Sequence, residues 1–581
     1  MLAFEINGQL LPVDDNTSIS MEMISSIFIE DGDILPGSYS FPFTVLLDND
    51  ARQILRHPDR IDLYKNYPEF DNVLLYVDGK PVFLGKIYLL SANETTAKMS
   101  FVVNEFKKLE DINIRELTNL GEVTWNSSAA LISMMDDSTI HPENHNIVFC
   151  PVFNPDYFDD AQKDAVNPDY DEWWQQRVQN YWSIYTTAFE YGDKKLAITP
   201  FVKLHHLYVK IFEYFNFNLV DAFFDIEQDY KRVYLYSNKS VNAVNDNYNS
   251  VVPFVNGLNV TSHSLTKFLP NIKCIDLIKR IRATFFLAVL PNPFKKQVKV
   301  MRYSDILAAP IRHDWTEKML TEYENTSQNV LPKEFGYEPT EDGFFADFNT
   351  DKPDADAPYS IERNAHYEET SFSNPFSEAI YSMNFKRIKF PEGILDPYLS
   401  KLAPLYNTFP GLWKQYFGTF AYHYPNLPMI KQRGHIKFKY GTEIFNQESE
   451  SDIRLLFYRG RFNGARSFNE GSTVVTYPYA TPGEHSPEQA DGSYLPLADA
   501  NSLLWNGPKG IYERRAKQYI DTLQYQKQLK CKLALSVADI INFRYEDKVR
   551  IRGNNFLVKS LRVTFSKSGI APVEAVLIRV N

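Results

Sequence analysis

Four side chains of metal-binding type lie close together in the sequence, at Asp136, Asp137, His141 and His145. Zinc is bound by histidine nitrogens and carboxylate oxygens, so a cluster of this kind has the right donor atoms for a metal ion. A proline and an asparagine lie between the two histidines, and both residue types are common in solvated turns. We therefore interpret the segment as a polar surface loop and expect no metal site there.

A second acidic segment has part of a calcium-binding pattern. Asp347, Asn349 and Asp351 have the spacing of the first three ligands of an EF-hand loop. The sixth position of that loop needs glycine for a sharp turn, and the twelfth needs a bidentate glutamate. This chain has Lys352 and Pro358 at those positions, so we expect no calcium site.

The remaining histidines and cysteines suggest ordinary structural roles. His205 and His206 are adjacent, so on a regular helix they cannot both face one metal ion. The three cysteines, Cys150, Cys274 and Cys531, are far apart in the sequence and form no zinc-binding or disulfide pattern. We expect buried thiols with no framework of bridges.

Tryptophans and acidic residues are concentrated between residues 109 and 195. Trp173, Trp174 and Trp182 could stack on sugar rings, although aromatic side chains also serve simply to pack cores and interfaces. Packing is the favoured interpretation, with one helix expected around residues 173–186. An acidic run accompanies the tryptophans, and it is interpreted as a solvated face; it comprises Asp156, Asp159, Asp160, Asp164, Asp169, Asp171 and Glu172.

No short catalytic signature is present. The chain lacks a phosphate-binding glycine loop, a nucleophile elbow, a paired-histidine zinc-protease motif and clustered CxxC pairs. Hydrolases that use a pair of carboxylates have no such motif, and 73 acidic residues leave that class open. We predict that the protein is not an enzyme, with no catalytic residue, cofactor or metal.

Composition narrows the choice of partners. The chain has 581 residues, a net charge of −12 and 15% aromatic residues, and roughly 150 residues per domain suggests several domains. A negative surface is a poor match for dedicated nucleic-acid binding, which needs Lys and Arg to displace phosphate counterions. The first residues form neither a signal peptide nor a membrane anchor, so we expect synthesis in a cytosol and no stable membrane insertion.

The most informative pattern is a β module that occurs at both ends of the chain. The first copy has an apolar strand, the turn Asp78-Gly79, a returning strand and a third strand around Phe101. The second has the same order around Gly553, with the third strand at Ala575. In both copies the turn glycine precedes the middle of the third strand by 22 residues. Asp-Gly between apolar runs is typical of a type I′ hairpin, and Gly85 in the returning strand suggests a bulge or sharp bend.

The fold is predicted to be mainly β with α+β insertions, with two similar β-barrel domains at the chain ends. Apolar periodicity predicts helices over residues 201–215 after Pro200, over 275–285 and over 510–523, and a strand over 297–302. The predicted divisions are an N-terminal barrel (1–108), a Trp-rich acidic insertion (109–195), an α+β domain (196–310), a long acidic, proline-rich connection (311–375) and a second barrel (376–581) with a loop-rich insertion at about 476–523.

Several short segments form a pattern that extends over most of the chain. They are Phe41–Val45, Asn49–Leu55, Val77–Lys80, Thr199–Phe201, Leu269–Ile272 with Asp276–Ile278, Gly510–Tyr512 and Leu535–Ile540. Together these segments resemble the tail-tip or baseplate hub proteins of tailed bacteriophages, in particular phages of Bacteroidetes-type hosts. The resemblance is weakest over 109–195 and 311–375.

The resemblance implies a homotrimer in which each chain carries two β-barrels, so that six barrels form a pseudo-six-fold ring. It implies a virion location at the tail tip or baseplate, and as partners the tail tube or distal tail ring, the tape measure protein, and tip, spike or receptor-binding proteins. It implies no catalytic residue and no sequence-specific nucleic acid contact. The barrel interiors are expected to contain Met99, Phe101 and Val103 in one copy and Val573, Ala575 and Leu577 in the other.

Two alternatives stay open at the level of sequence. The Trp-rich insertion permits a polysaccharide-binding or polysaccharide-degrading tail protein that acts on the host surface. The chain could also be a six-fold ring component at the end of the tail tube, in which case six copies and not three would form the ring.

Overall fold

The protein is described here by a computed structural model. The structure describes residues 2–25, 27–28, 38–62, 66–103, 109, 111–153, 178–183, 187–190, 198–237, 239, 261–327, 336–338, 371–373, 380–381, 384–385, 422–423, 427–428, 436–440, 443–447, 454–468, 471–484, 486, 495–498, 500–503, 507–524 and 527–580. Within these ranges the fold is mainly β with some helices, as the sequence predicts.

The N-terminal part is nearly all strand. Its elements are β1 (Leu2–Ile6), β2 (Gln9–Pro12), β3 (Ile19–Ile24), β4 (Ser38–Ser40), β5 (Phe43–Leu46), α1 (Asn49–Ile54), β6 (Glu69–Val77), β7 (Lys80–Ala92) and β8 (Thr96–Val102).

The middle of the chain mixes helices with short strands. Its elements are β9 (Glu122–Trp125), α2 (Ser128–Ile140), β10 (Ile147–Val148), β11 (Val152–Phe153), β12 (Val178–Gln179), β13 (Trp182–Ser183), β14 (Ala188–Phe189), β15 (Phe201–Lys203), α3 (Leu204–Tyr214), β16 (Asn218–Asp221), α4 (Ala222–Ile226), β17 (Val233–Tyr236), β18 (Thr261–Ser264), α5 (Cys274–Phe285), β19 (Leu287–Asn292), β20 (Gln297–Arg302) and α6 (Tyr303–Ala308).

From residue 311 onward most elements are again strands. Its elements are β21 (Ile311–Asp314), β22 (Met319–Ser327), β23 (Gly336–Glu338), β24 (Ser371–Ser373), β25 (Ile380–Tyr381), β26 (Asn384–Phe385), β27 (Tyr422–His423), β28 (Leu427–Pro428), β29 (Ile436–Tyr440), β30 (Glu443–Gln447), β31 (Arg454–Phe468), β32 (Gly471–Thr481), α7 (Lys517–Gln524), β33 (Lys527–Leu533), α8 (Val537–Asn542), β34 (Lys548–Ile551), β35 (Asn554–Ser566), β36 (Gly569–Ile570) and β37 (Val573–Val580).

One 15-stranded sheet contains strands from both ends of the chain. Its main path runs β2-β1-β6-β7-β8-β4-β3-β35-β37-β33-β22; β5 pairs with β8, β21 with β34, and β34 and β36 with β35. Each end forms a curled half-barrel, and the pairing of β3 with β35 joins the two. Among the strand pairs of the described residues, none closes either half into a cylinder, so the two complete barrels remain a prediction.

A shared apolar core lies under this sheet. One continuous cluster of buried side chains includes Phe4 from the N-terminal half and Leu577 from the C-terminal half. The rings of Phe83 and Phe565 meet between the halves, with centroids 6.1 Å apart. Of the predicted interior residues, Met99, Phe101, Val573, Ala575 and Leu577 are buried and Val103 is partly buried, so the predicted alternation is confirmed.

A second core lies in the middle of the chain. The helix predicted over 275–285 is confirmed as α5, and the predicted strand over 297–302 is β20. The helix predicted to follow Pro200 directly begins later, at Leu204. Phe201 and Val202 form strand β15 instead, because they pair with β10 and β17 and so gain tertiary hydrogen bonds that the periodicity could not reveal. The helix predicted over 510–523 is a turn of π-helix followed by α7.

Two further segments differ from their predictions. Residues 178–183 form strands β12 and β13 around a turn, so the helix expected over 173–186 is wrong there. Residues 311–327 lie in the segment predicted to be a connection, yet β21 pairs with β34 and β22 pairs with β33 in the main sheet. Their partner strands lie near the other end of the chain, beyond the reach of any local pattern. The domain boundaries as a whole remain a prediction. No helix among the described residues is long and apolar enough to span a membrane.

Candidate functional site

The two halves of the main sheet share one order of elements. In the first, strand β5 leads into helix α1 and then into the meander β6-β7-β8. In the second, strand β33 leads into helix α8 and then into β34, β35 and β37. The pairing is also shared, since β8 pairs with β7 and β5 as β37 pairs with β35 and β33. The sequence revealed the hairpins, and the structure extends the correspondence to the preceding strand and helix.

The hairpin turns of the two halves have the same backbone conformation. Asp78 and Gly79 have φ of +50° and +72°, which confirms the type I′ turn that the sequence predicts. The second turn consists of Arg552 and Gly553, with φ of +47° and +77°. Asn554 follows this turn and begins β35. Arginine is uncommon at positive φ, so it gives no sequence signal for this turn type.

The strand registers of the two meanders also agree. Ile87 pairs with Phe101 in the first half, and Leu561 pairs with Ala575 in the second. The difference in residue number between Ile87 and Leu561 equals that between Phe101 and Ala575. We call this difference the constant offset between the two meanders. A slip of one residue would turn every side chain to the opposite face of the sheet, so an identical register places equivalent positions on equivalent faces.

The short helices α1 and α8 are capped in related ways. The Asp48 side chain accepts a hydrogen bond from the backbone N–H of Ala51 at 2.7 Å. Ser536 and Asp539 form a capping box, in which the Asp539 carboxylate accepts the Ser536 backbone N–H at 2.8 Å. These side chains satisfy helix N–H groups that lack an intrahelical acceptor, so both helices begin at a defined residue.

The halves meet at the junction of β3 with β35. Six residue pairs form it, from Ile19 with Phe565 to Ile24 with Ser560. The buried faces of both strands are apolar, and the hydroxyl oxygens of Ser20 and Thr564 lie 2.8 Å apart on the other face. This junction is the main candidate for a functional feature, because it shows that an edge of one half can pair with the other half.

The predicted metal-type cluster does not converge on one point. His145 contacts Asp137 through Nε2 at 2.7 Å, and His141 lies 3.6 Å from Glu143. Asp136 is engaged separately by the guanidinium of Arg461. Among the described residues, no three His, Cys, Asp or Glu side chains are arranged to hold a metal ion. The calcium-like segment around Asp347 and the acidic run after residue 154 lie outside the described residues.

The paired histidines on α3 have separate structural surroundings. His206 contacts the backbone carbonyl of Leu120 through Nε2 at 3.0 Å, and burial lowers the pKa of its imidazole. The ring of His205 lies 5.0 Å from that of Phe224. Neither arrangement resembles a general base facing a cleft.

Trp182 is packed inside the protein. It is 6% exposed, meets the Phe189 ring edge-on at a centroid distance of 4.9 Å, and is covered by the Arg461 guanidinium at 4.9 Å. No face of this ring is free to stack on a sugar. Trp173 and Trp174, the other two candidates for sugar binding, lie outside the described residues.

A buried ionic network in the middle of the chain gave no sequence signal. Arg459 donates two hydrogen bonds to Asp229, at 2.8 and 2.9 Å. Glu227 contacts Arg515 at 3.1 Å and Arg302 at 2.5 Å. The partners come from widely separated parts of the chain, so nothing local could identify them. All the charges are paired inside the network, which fits a structural role.

No family model matches this sequence, and no curated protein matches it. Among solved structures, the crystal structure of the prophage MuSo2 43 kDa tail protein from Shewanella oneidensis aligns with 100% of this chain and 97% of its own chain. The identity is 7% and the TM-score is 0.31. At these values the likeness establishes neither the fold nor the activity of the present chain.

Proposed function

We propose that this protein is a structural tail hub of a bacteriophage, which assembles as a trimer and forms a pseudo-six-fold ring between the tail tube and the tip or central spike. The observation that carries the proposal is the shared register of the two meanders, with Ile87–Phe101 matched by Leu561–Ala575. A chain with two equivalent halves contributes two similar units to a ring, so three chains supply six. A trimer of this kind can contact a six-fold tube on one side and a three-fold tip on the other.

The net charge suits a channel for DNA. A charge of −12 opposes adhesion of the phosphate backbone, because tight binding to DNA depends on displacing counterions with Lys and Arg. In this proposal the ring forms part of the passage for the tape measure protein and for the genome during ejection. The chain acts without catalytic residues, and its partners are the tail tube or distal tail ring, the tape measure protein and the tip or receptor-binding proteins.

The mass of the purified full chain in solution tests the proposal. We expect a stable particle with three times the mass of the 67.4 kDa chain, measured by native mass spectrometry or light scattering. Electron microscopy of isolated tails carrying a labelled copy should place the label at the tip. A particle of six chains would favour the tube-end ring instead, and a chain that stays monomeric and is absent from tails would refute the hub.

A further inference from the structure

Strand β22 is the last strand of the main sheet among the described residues, and its side chains are exposed where those of the adjacent strand β33 are buried. Tyr323 lies directly opposite Cys531 on β33, so the two side chains share one face of the sheet. Cys531 is 5% exposed, whereas Tyr323 is 52% exposed. On this face β22 has the exposed Tyr323, whose ring lies 5.3 Å from the Arg552 guanidinium, and the polar Asn325 opposite the buried Leu529. No strand pairs with the outer edge of β22 among the described residues.

The strand of the first half that corresponds to β22 is β3. β33 corresponds to β4 and β5 together, since both of these strands pair with β8. Tyr39 on β4 pairs with Val102, as Lys530 on β33 pairs with Val576, which is equivalent to Val102 by the same constant offset. Glu22 of β3 pairs with Tyr39, as Glu324 of β22 pairs with Lys530. Glu324 is thus equivalent to Glu22. By the same reasoning, Tyr323 is equivalent to the buried Met21.

β3 and β22 differ in what pairs with their second edge, which is the edge that faces away from β4 and β33 respectively. β3 pairs on that side with residues 560–565 of β35, across the junction between the halves. β22 has no such neighbour in the described structure.

The edge of the first half that corresponds to residues 560–565 of β35 lies on β7. The constant offset that relates the two meanders makes Lys86–Ser91 equivalent to residues 560–565. β6 covers this edge as far as Tyr88, which pairs with Glu69, and β7 continues beyond it to Ala92. Among the described residues no strand pairs with Leu89–Ala92 on this side, and we call this segment the free end of β7. It is shorter than the corresponding uncovered part of β35, because β6 is longer than β34.

The surface around this free end exposes apolar side chains next to a cleft. Leu90 is 47% exposed, and the nearby Ile61 is 99% exposed. Beside them lies a cleft of about 470 Å³, whose lining includes Tyr67, Leu89 and Ala92. Exposed apolar side chains next to a free strand edge are typical of surfaces that pair with another chain.

We infer that β22 of one copy pairs antiparallel with the Leu89–Ala92 end of β7 in a second copy, repeating between chains the β3–β35 junction that exists within each chain. This inference rests on the proposed ring and names the two surfaces that would build it. The register of the internal junction places Glu322 opposite Leu90, since Ser20 lies opposite Thr564. The two surfaces differ from each other, so the contact is head-to-tail, and such contacts close into rings when the rotation per subunit permits.

Cysteine cross-linking of the full chain tests the register directly. Glu322→Cys and Leu90→Cys would bring two thiols opposite each other across the interface, within the geometry of a disulfide. We expect mild oxidation of the double variant to give covalent trimers that a reductant reverses, and each single variant to give none. Both positions are exposed, so the substitutions should affect folding little. Glu322 is next to Tyr323, which lies opposite Cys531, so a cysteine at 322 faces away from that buried thiol on the other side of the sheet.

A matched control replaces Leu90→Cys with Leu10→Cys, on the opposite edge strand β2. Cross-linking through Leu10 would overturn the inference, because the copies would then meet through a different edge. A trimer by mass without a Glu322–Leu90 cross-link would also overturn it, while leaving the proposed hub intact. A cross-linked ladder that extends past three chains would support these surfaces and refute the closed trimer. A strictly monomeric chain without cross-links would refute both.

Discussion

Ser20 and Thr564 are 544 positions apart in the chain, and their side-chain hydroxyl oxygens lie 2.8 Å apart in the folded protein. They belong to β3 and β35, so strands from the two ends of the chain form part of one sheet. The helices and short strands in the middle of the chain are therefore inserted between two parts of one sheet. The two halves cannot separate without breaking this junction.

Truncating the core side of the junction should destabilise both halves together. Val563 is fully buried opposite Met21, and we expect Val563→Ala to lower the free energy of unfolding by about 2–3 kcal/mol, since lost burial and a residual cavity both contribute. Calorimetry or circular dichroism would show a lower melting temperature for the transition of the main sheet.

A surface variant controls for the substitution itself. Leu10 is half exposed on β2, and Leu10→Ala should change stability by no more than about 0.5 kcal/mol. If Val563→Ala melted one half early and left the other at its original temperature, the sheet would not be the cooperative unit described above.

The parts of the fold that the sequence predicted are those encoded locally. Asp78-Gly79 specifies its own turn, and the periodicity of 275–285 specifies its own helix. The β3–β35 junction could not be predicted, because alternation shows which face of a strand is buried but not which strand lies beside it. For the same reason, the pairing of the strands within residues 311–327 could not be predicted from the sequence.

The candidate surface was equally invisible in the sequence. Tyr323 lies in an acidic stretch that resembles a linker, and only its position opposite Cys531 shows that it extends the core face. The residues of metal-binding type are the opposite case, because they are close in the sequence but do not form a site in the fold. Asp136 and His145 are close in sequence, but the fold gives them separate partners, Arg461 and Asp137.

Gly85 should tolerate no larger residue. A Cβ atom there would lie 2.4 Å from the backbone carbonyl oxygen of Val102, so the adjacent strand would have to move. The register irregularity predicted for this region occurs in β6, between Phe70 and Val73, opposite the glycine. We expect Gly85→Ala to cost about 3 kcal/mol, the upper range for overpacking, as measured by denaturant unfolding.

Gly553 provides the comparison for Gly85. A Cβ atom at Gly553 would meet no other atom within 4 Å, but the residue has a φ of +77°, so Gly553→Ala should cost only about 1–2 kcal/mol through backbone strain. Equal losses at the two glycines would indicate that the close contact with Val102 does not limit Gly85.

The native thiols should be unreactive until the protein unfolds. Cys150, Cys274 and Cys531 are all buried. Burial raises the pKa of Cys274 to about 12 and that of Cys531 to about 11, and it raises the pKa of Cys150 further, so little thiolate exists at neutral pH. A colorimetric thiol reagent should label none of them in the native state and all three in denaturant. Rapid native labelling of any one would contradict its placement.

The Glu227 carboxylate should make the stability of the second core, in the middle of the chain, sensitive to acid. Burial alone would raise its pKa, but Arg515 and Arg302 outweigh that effect and hold the pKa of Glu227 below its usual value. A depressed folded pKa contributes stability above the unfolded pKa of about 4.3, and this contribution is lost as the pH falls through the lower, folded value. The melting temperature should therefore fall as the pH is lowered below about 4.3.

Glu227→Gln should remove that part of the pH dependence and should cost about 3–5 kcal/mol at neutral pH, because it leaves the buried Arg515 without its charged partner. Asp225 supplies the matched control: its contact with Lys231 is 2.9 Å long but largely exposed, so Asp225→Asn should cost less than about 1 kcal/mol. Thermal melts of the three proteins between pH 3 and 7 would separate these effects. An acid transition of unchanged size in Glu227→Gln would show that other carboxylates control it.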